Sequence, residues 1–169
     1  MSKTAPTTPA IRYLRERGIA FTEHAYRYEE RGGTRVSARE LGVPEHQVVK
    51  TLVMEDEGGE PLLVLMHGDR EVSTKALARL LGKKSIHPCR PDVAERHSGY
   101  RVGGTSPFAT RASMPVYVER TILDLPRVFV NGGARGFLVG VEPRVLVEAL
   151  GAEPVDVGIP AGSISRSRA

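Results

Sequence analysis

Gly99-Tyr100-Arg101-Val102-Gly103-Gly104-Thr105-Ser106-Pro107-Phe108 (GYRVGGTSPF) is the stretch of this chain least like ordinary packing sequence. It holds three glycines, a proline, Thr105 and Ser106, yet Tyr100, Val102 and Phe108 keep it apolar enough to pack against something. Paired glycines let a ligand approach the backbone and reach positive φ, so Gly103-Gly104 can turn successive N–H groups toward one point, a concavity suited to an oxyanion or phosphate. An isolated Gly-Gly reads instead as a bulged turn between strands. Here a second cluster, Asn131-Gly132-Gly133-Ala134-Arg135-Gly136, follows beside another apolar run. The chain therefore reads as a scaffold that holds two glycine loops over a pocket.

Outward from these loops, Thr8-Pro9 starts a helix that Gly18 stops, and Ile19 to Tyr26 has a strand-like period of two. A short helix from about Val36 to Leu41 ends at Gly42. Val48 to Met54 is β-branched and apolar on both faces apart from Lys50, as expected of a central strand. Gly58-Gly59 joins it to Pro61–His67 as a hairpin. Ser73 caps a helix whose core face is read as Ala76, Leu77, Leu80 and Leu81, closed by Gly82. A further helix is expected at Pro91–Ser98. Strands are expected at Tyr100–Val102, Met114–Val118, Val128–Val130 and Phe137–Val141, then a helix from Pro143 to Leu150 and an edge strand at Val155–Val157. This order predicts one α+β domain around a mixed sheet. Residues 1–7 read as a flexible N-terminus, 8–157 as the domain, and 158–169, rich in Gly, Pro, Ser and Arg, as a disordered tail.

A chain of 169 residues buries one good core. No apolar run is long enough to span a bilayer, and the polar N-terminus lacks a leader, so a cytoplasmic protein is expected, with no membrane partner. The single cysteine, Cys89, fits a reducing compartment. The net charge is +4, and Arg166 and Arg168 supply two of those charges in a segment without acidic residues. The remaining +2 permits an anionic partner without demanding one.

Lys50 is the leading site candidate, because an ammonium in an apolar strand must reach solvent, pair with a carboxylate or face a polar cavity. Arg135 in the second glycine cluster either meets phosphate or is solvated. Thr105 and Ser106 either orient a ligand or close the turn. Cys89 is a nucleophile or, the plainer reading, a small core residue. The five histidines show no metal-binding spacing, so no metal or other cofactor is expected. Aromatics are too scattered for an RNA-stacking platform.

Val48-Val49-Lys50-Thr51-Leu52, Gly68-Asp69 before the Ser73 helix, and both glycine blocks occur together in an order that resembles the YbaK family of aminoacyl-tRNA deacylases, relatives of the editing domain of bacterial prolyl-tRNA synthetases. The resemblance implies an α+β fold with a mixed, partly barrel-like sheet flanked by helices. It implies a trans-editing enzyme acting on the aminoacylated 3′ end of tRNA, most often releasing cysteine from tRNA for proline, with prolyl-tRNA synthetase as a further partner and no DNA. Lys50, Gly103 and Gly104 are then the expected catalytic positions; Tyr26, Thr51, Thr105, Ser106, Gly132, Gly133 and Arg135 are expected around the substrate. Phe137 and Leu138 stand where some members carry an acidic residue after the Arg-Gly. In the cysteine case the resemblance implies attack by the substrate's own thiol. A module that binds a tRNA end or a synthetase without catalysis is the alternative.

Overall fold

The computed structural model describes residues 5–162. Helix α1 (Pro9–Glu16) begins as its sequence predicts, with the Thr8 hydroxyl accepting from the Ile11 N–H at 3.1 Å and Pro9 in the first turn. Its face Ala10, Ile11 and Leu14 is fully buried. Strand β1 (Thr22–Ala25) follows, then α2 (Gly33–Leu41), stopped by left-handed Gly42. A 3-10 turn, Glu45–Gln47, leads into β2 (Val49–Asp56), β3 (Pro61–His67) and β4 (Arg70–Val72). Helix α3 (Thr74–Leu81), β5 (Ile86–Pro88) and α4 (Pro91–Ser98) precede the first glycine loop. Beyond it come β6 (Val116–Glu119), β7 (Val128–Ala134), β8 (Phe137–Val141), α5 (Arg144–Leu150), β9 (Glu153–Val155) and β10 (Gly158–Pro160).

The α+β class holds, and the main sheet is mixed. Its order is β5-β2-β3-β6-β9, antiparallel at β5-β2 and β2-β3 and parallel at β3-β6 and β6-β9. A second sheet, β1-β8-β7, is antiparallel, and β10-β4 form a small third. Among the described residues the sheets do not close into a barrel. Among the described residues, one parallel bridge, Val48 to Phe129, ties the main sheet to the second.

Strand β2 is buried on both faces, as its composition predicts. Val49 and Val53 enter the larger core with α1, β7, β8 and Phe108, while Met54 and Leu52 pack in the core under α3. Its two edges differ. It pairs with β3 along Val49 to Glu55, but with β5 only at Met54 to Asp56. The Val48 carbonyl accepts from Gly68 on the β3 side, whereas the Val53 carbonyl accepts from Cys89 on the other. The alternation of an antiparallel strand therefore directs the Thr51 N–H and C=O to the edge that β5 leaves uncovered.

Three expectations change. Tyr100–Val102 is a loop: Tyr100 turns into the core and donates its hydroxyl to the Phe108 carbonyl at 2.6 Å, so the segment folds back on itself instead of pairing. On α3, Leu77 and Ala78 face inward and leave Leu80 59% exposed, because an eight-residue helix buries only a narrow stripe. The tail expected from residue 158 begins too early, since Gly158–Pro160 pairs with Arg70–Val72 as β10; residues 163–169 lie outside the described part. So do residues 1–4 of the expected flexible N-terminus.

Candidate functional site

The uncovered edge of β2 forms the floor of a cleft of about 850 Å³. Its walls come from the segment after β1, from β4, from the start of α4 and from the two glycine segments. Lys50 lies half-buried on this floor, and its Nζ donates to the Arg70 carbonyl across the gap to β4. Burial lowers its pKa; Glu71, Glu45 and Asp69 act in the opposite direction. Two buried atoms have no hydrogen-bond partner among the described residues, Thr51 Oγ1 and Glu71 Oε2, and both residues line the cleft. Buried polar atoms are rarely left unpaired, so these two leave hydrogen-bonding capacity at the Lys50 end of the cleft.

The two glycine segments meet at one wall, as their sequence suggested. The Asn131 side chain donates to the Gly103 carbonyl at 3.1 Å and accepts from the N–H groups of Gly133 at 2.7 Å and Ala134 at 3.1 Å. Arg135 Nε donates to the Val102 carbonyl at 2.9 Å, with its guanidinium carbon 5.2 Å from the centre of the Tyr28 ring. Arg135 is thus partly spent on fastening the wall.

Of the ten expected positions, Lys50, Thr51, Tyr26, Gly103, Thr105 and Arg135 line the cleft. Gly104, Ser106, Gly132 and Gly133 do not, and each has a packing reason. Gly104 is buried, its N–H donates to the Arg101 carbonyl at 2.8 Å, and a Cβ there would lie 2.9 Å from the backbone of Ala134 and Arg135. Its amide is closing a turn. Ser106 is fully buried and accepts from the Phe108 N–H at 3.2 Å. A Cβ on Gly132 would lie 2.6 Å from the Phe137 ring, and one on Gly133 would lie 2.9 Å from both Thr8 and Tyr100. These glycines let β7 pass close to α1 and β8.

Residues that sequence reasoning passed over complete the walls: Tyr28, Glu29, Arg31 and Glu71. Nothing in their spacing marks them, because they converge only through the β2–β4 gap and the crossing of the glycine segments. A second unforeseen grouping, His46, His67 and Asp69, has ligand atoms within 4.8 Å of one another. It is already satisfied internally. His67 is fully buried, its Nδ1 meets the His46 carbonyl at 2.7 Å, its Nε2 meets Thr121 Oγ1 at 2.7 Å, and its ring stacks on His46 at 3.6 Å. With both nitrogens bonded, His67 has no lone pair to offer a metal.

Cys89 lines the cleft but is not poised as a nucleophile. Burial, then the charge of Glu55, pushes its thiol up to about 11, so almost none is thiolate at neutral pH. Iodoacetamide at pH 7.5 is accordingly expected to alkylate Cys89 far more slowly than free cysteine, as intact-mass spectrometry would read. Alkylation at the rate of free cysteine would contradict this.

The model of the aminoacyl-tRNA editing domain family matches residues 31–149. Among curated proteins, one from Enterococcus faecalis, named "Putative Cys-tRNA(Pro)/Cys-tRNA(Cys) deacylase EbsC", is 25% identical over 146 residues, 86% of this chain and 89% of that protein. A proline–tRNA ligase of Nitratidesulfovibrio vulgaris is 35% identical over 79 residues, which are 47% of this chain and 14% of the ligase. Of solved structures, the hypothetical protein APE2540 superposes with a TM-score of 0.82 at 29% identity, covering 89% of this chain and 99% of that one. A "putative trans-editing enzyme for prolyl tRNA synthetase" gives 0.81 at 24% identity, covering 92% and 99%, and shares the fold.

Proposed function

The chain belongs to the aminoacyl-tRNA editing domain family, and on that premise we propose that it is a trans-editing deacylase that frees tRNA of a wrong amino acid, cysteine on tRNA for proline being the leading substrate. The observation that carries this is the cleft floor, where Lys50 and the unpaired Thr51 hydroxyl lie at an uncovered strand edge. Likeness to the Enterococcus faecalis protein whose name gives cysteinyl-tRNA as its substrate, and which matches over most of both chains, supports the choice of cysteine. The editing domain spans Thr8 to at least Pro160, and the protein works in the cytoplasm. No helix among the described residues is long and apolar enough to cross a membrane.

The chemistry suits what the cleft holds. An aminoacyl ester is already activated, so its cleavage needs positioning and stabilisation of the developing oxyanion more than a protein nucleophile. Lys50 supplies a compact cation for the carbonyl oxygen or the terminal phosphate. The Gly103 N–H, which makes no backbone hydrogen bond among the described residues, and the Thr51 N–H at the strand edge are the main-chain donors. Gly104 leaves the donor set because its amide is taken. With a cysteinyl ester, the substrate's sulfur attacks its own carbonyl carbon, the ester C–O bond breaks, and the ribose 3′-oxygen leaves with the thiol's proton. Cysteine departs as a cyclic thioester that water opens. Other amino acids require water as the nucleophile.

A panel of mischarged tRNAs, assayed for release of the amino acid, tests this reading. Release from cysteine-charged tRNA for proline well above the buffer rate supports it. Tight binding to the tRNA end without release from any member of the panel would establish a non-catalytic module. Binding should also be modestly salt-sensitive. With Arg166 and Arg168 set aside the net charge is +2, so the log–log salt slope should be on the order of −2 to −4. A slope near about −8 would reveal a much larger phosphate-contacting surface.

A further inference from the structure

Glu71 stands on β4, on the cleft wall beside Lys50. One carboxylate oxygen, Oε1, accepts from the Gly162 N–H at 3.1 Å, which fixes the side chain. The other, Oε2, is buried without a partner among the described residues. Lys50 does not satisfy it: the two charges influence one another, but Lys50 Nζ is directed to the Arg70 carbonyl. A desolvated carboxylate oxygen is a strong acceptor, and leaving it without a donor is costly. The other acidic residues on the cleft wall are exposed, and Glu29 is paired with Arg39 at 3.0 Å. The cleft wall therefore carries one cation and, beside it, one carboxylate with an oxygen that the described residues leave unsatisfied.

We propose that Glu71 binds the α-ammonium group of the aminoacyl ester and is the residue that admits free aminoacyl esters while excluding N-acylated ones. The inference rests on the deacylase reading above, and it deepens it. An α-aminoacyl ester carries an electron-rich carbonyl oxygen and a cationic nitrogen attached to neighbouring carbons, which matches Lys50 beside Glu71. Acylation of the nitrogen, as in a growing peptide, removes its charge, so the acylated ester would leave Oε2 buried without its charged partner. An editing enzyme with this carboxylate leaves peptidyl esters intact. The simpler role, Glu71 as counter-charge for Lys50, would affect both kinds of ester alike.

The test uses adenosine bearing a cysteinyl group through a stable 3′-amide, in free-amine and N-acetyl forms, with affinity measured by calorimetry. Wild type is expected to bind the free amine roughly 10²-fold more tightly, the scale for losing one partner of a desolvated charge pair. In Glu71→Gln, which retains an oxygen for Gly162, this preference should fall to near unity. A preference unchanged in Glu71→Gln, or absent from wild type, overturns the proposal. A measurement on wild type alone guards against misfolding of the variant. Carbodiimide should couple the analogue's amine to the Glu71 carboxylate, located by peptide mass spectrometry; coupling at Glu29 or Glu30 with none at Glu71 contradicts the assignment. Free-amine preference that depends on Glu71, without release from any mischarged tRNA, would sink the deacylase reading and leave the ammonium site standing.

Discussion

Lys50→Ala is expected to lower single-turnover amino-acid release by roughly 10²- to 10³-fold, the range for removing one donor from a developing oxyanion. The fold should survive. Lys50 is only half-buried and, among the described residues, its ammonium makes one hydrogen bond, to the Arg70 carbonyl, whose loss costs about 1 kcal/mol. Lys50→Arg should not restore release, because a planar guanidinium cannot occupy the place of a compact ammonium between β2 and β4. Circular dichroism and a thermal melt on the same preparations separate lost chemistry from lost structure. Wild-type rates in a folded Lys50→Ala protein would remove this residue from the mechanism.

Gly104→Ala should act through structure first. A Cβ at this position would lie 2.9 Å from the Ala134 carbonyl carbon and the Arg135 nitrogen, both backbone atoms that cannot rotate aside. One glycine segment must move off the other, with an overpacking cost of about 1–3 kcal/mol and a fall in Tm of roughly 2–12 °C. Release should fall too, since Gly103 and Arg135 belong to the wall that is displaced. A variant with an unchanged melt and release reduced about 10²-fold would return the Gly104 amide to the role of oxyanion donor.

The sequence was most informative where local chemistry decides the outcome. Thr8-Pro9 and Gly42 mark helix ends because caps are short-range, and Val48 to Met54 reads as a central strand because both faces are apolar. It was least informative where tertiary geometry decides. Tyr100 to Val102 has strand-like residues, yet the Tyr100 hydroxyl draws it into the core. Gly103-Gly104 and Gly132-Gly133 look alike as motifs, but only Gly103 reaches the cleft; the other three make room for backbone and rings. Lys50 was legible as a cation out of place, whereas Glu71 in Arg70-Glu71-Val72 is an unremarkable charged residue until β4 sets it beside β2. The His46–His67 stack was equally hidden, since twenty-one positions separate its members.

The most direct measurement is the single-turnover decay of tRNA for proline charged with cysteine, followed beside the same tRNA charged with proline. Wild-type protein is expected to strip cysteine far above the buffer rate and to leave proline in place, with no adduct on Cys89. Decay of both tRNAs at the buffer rate, with protein demonstrably bound to them, would contradict it.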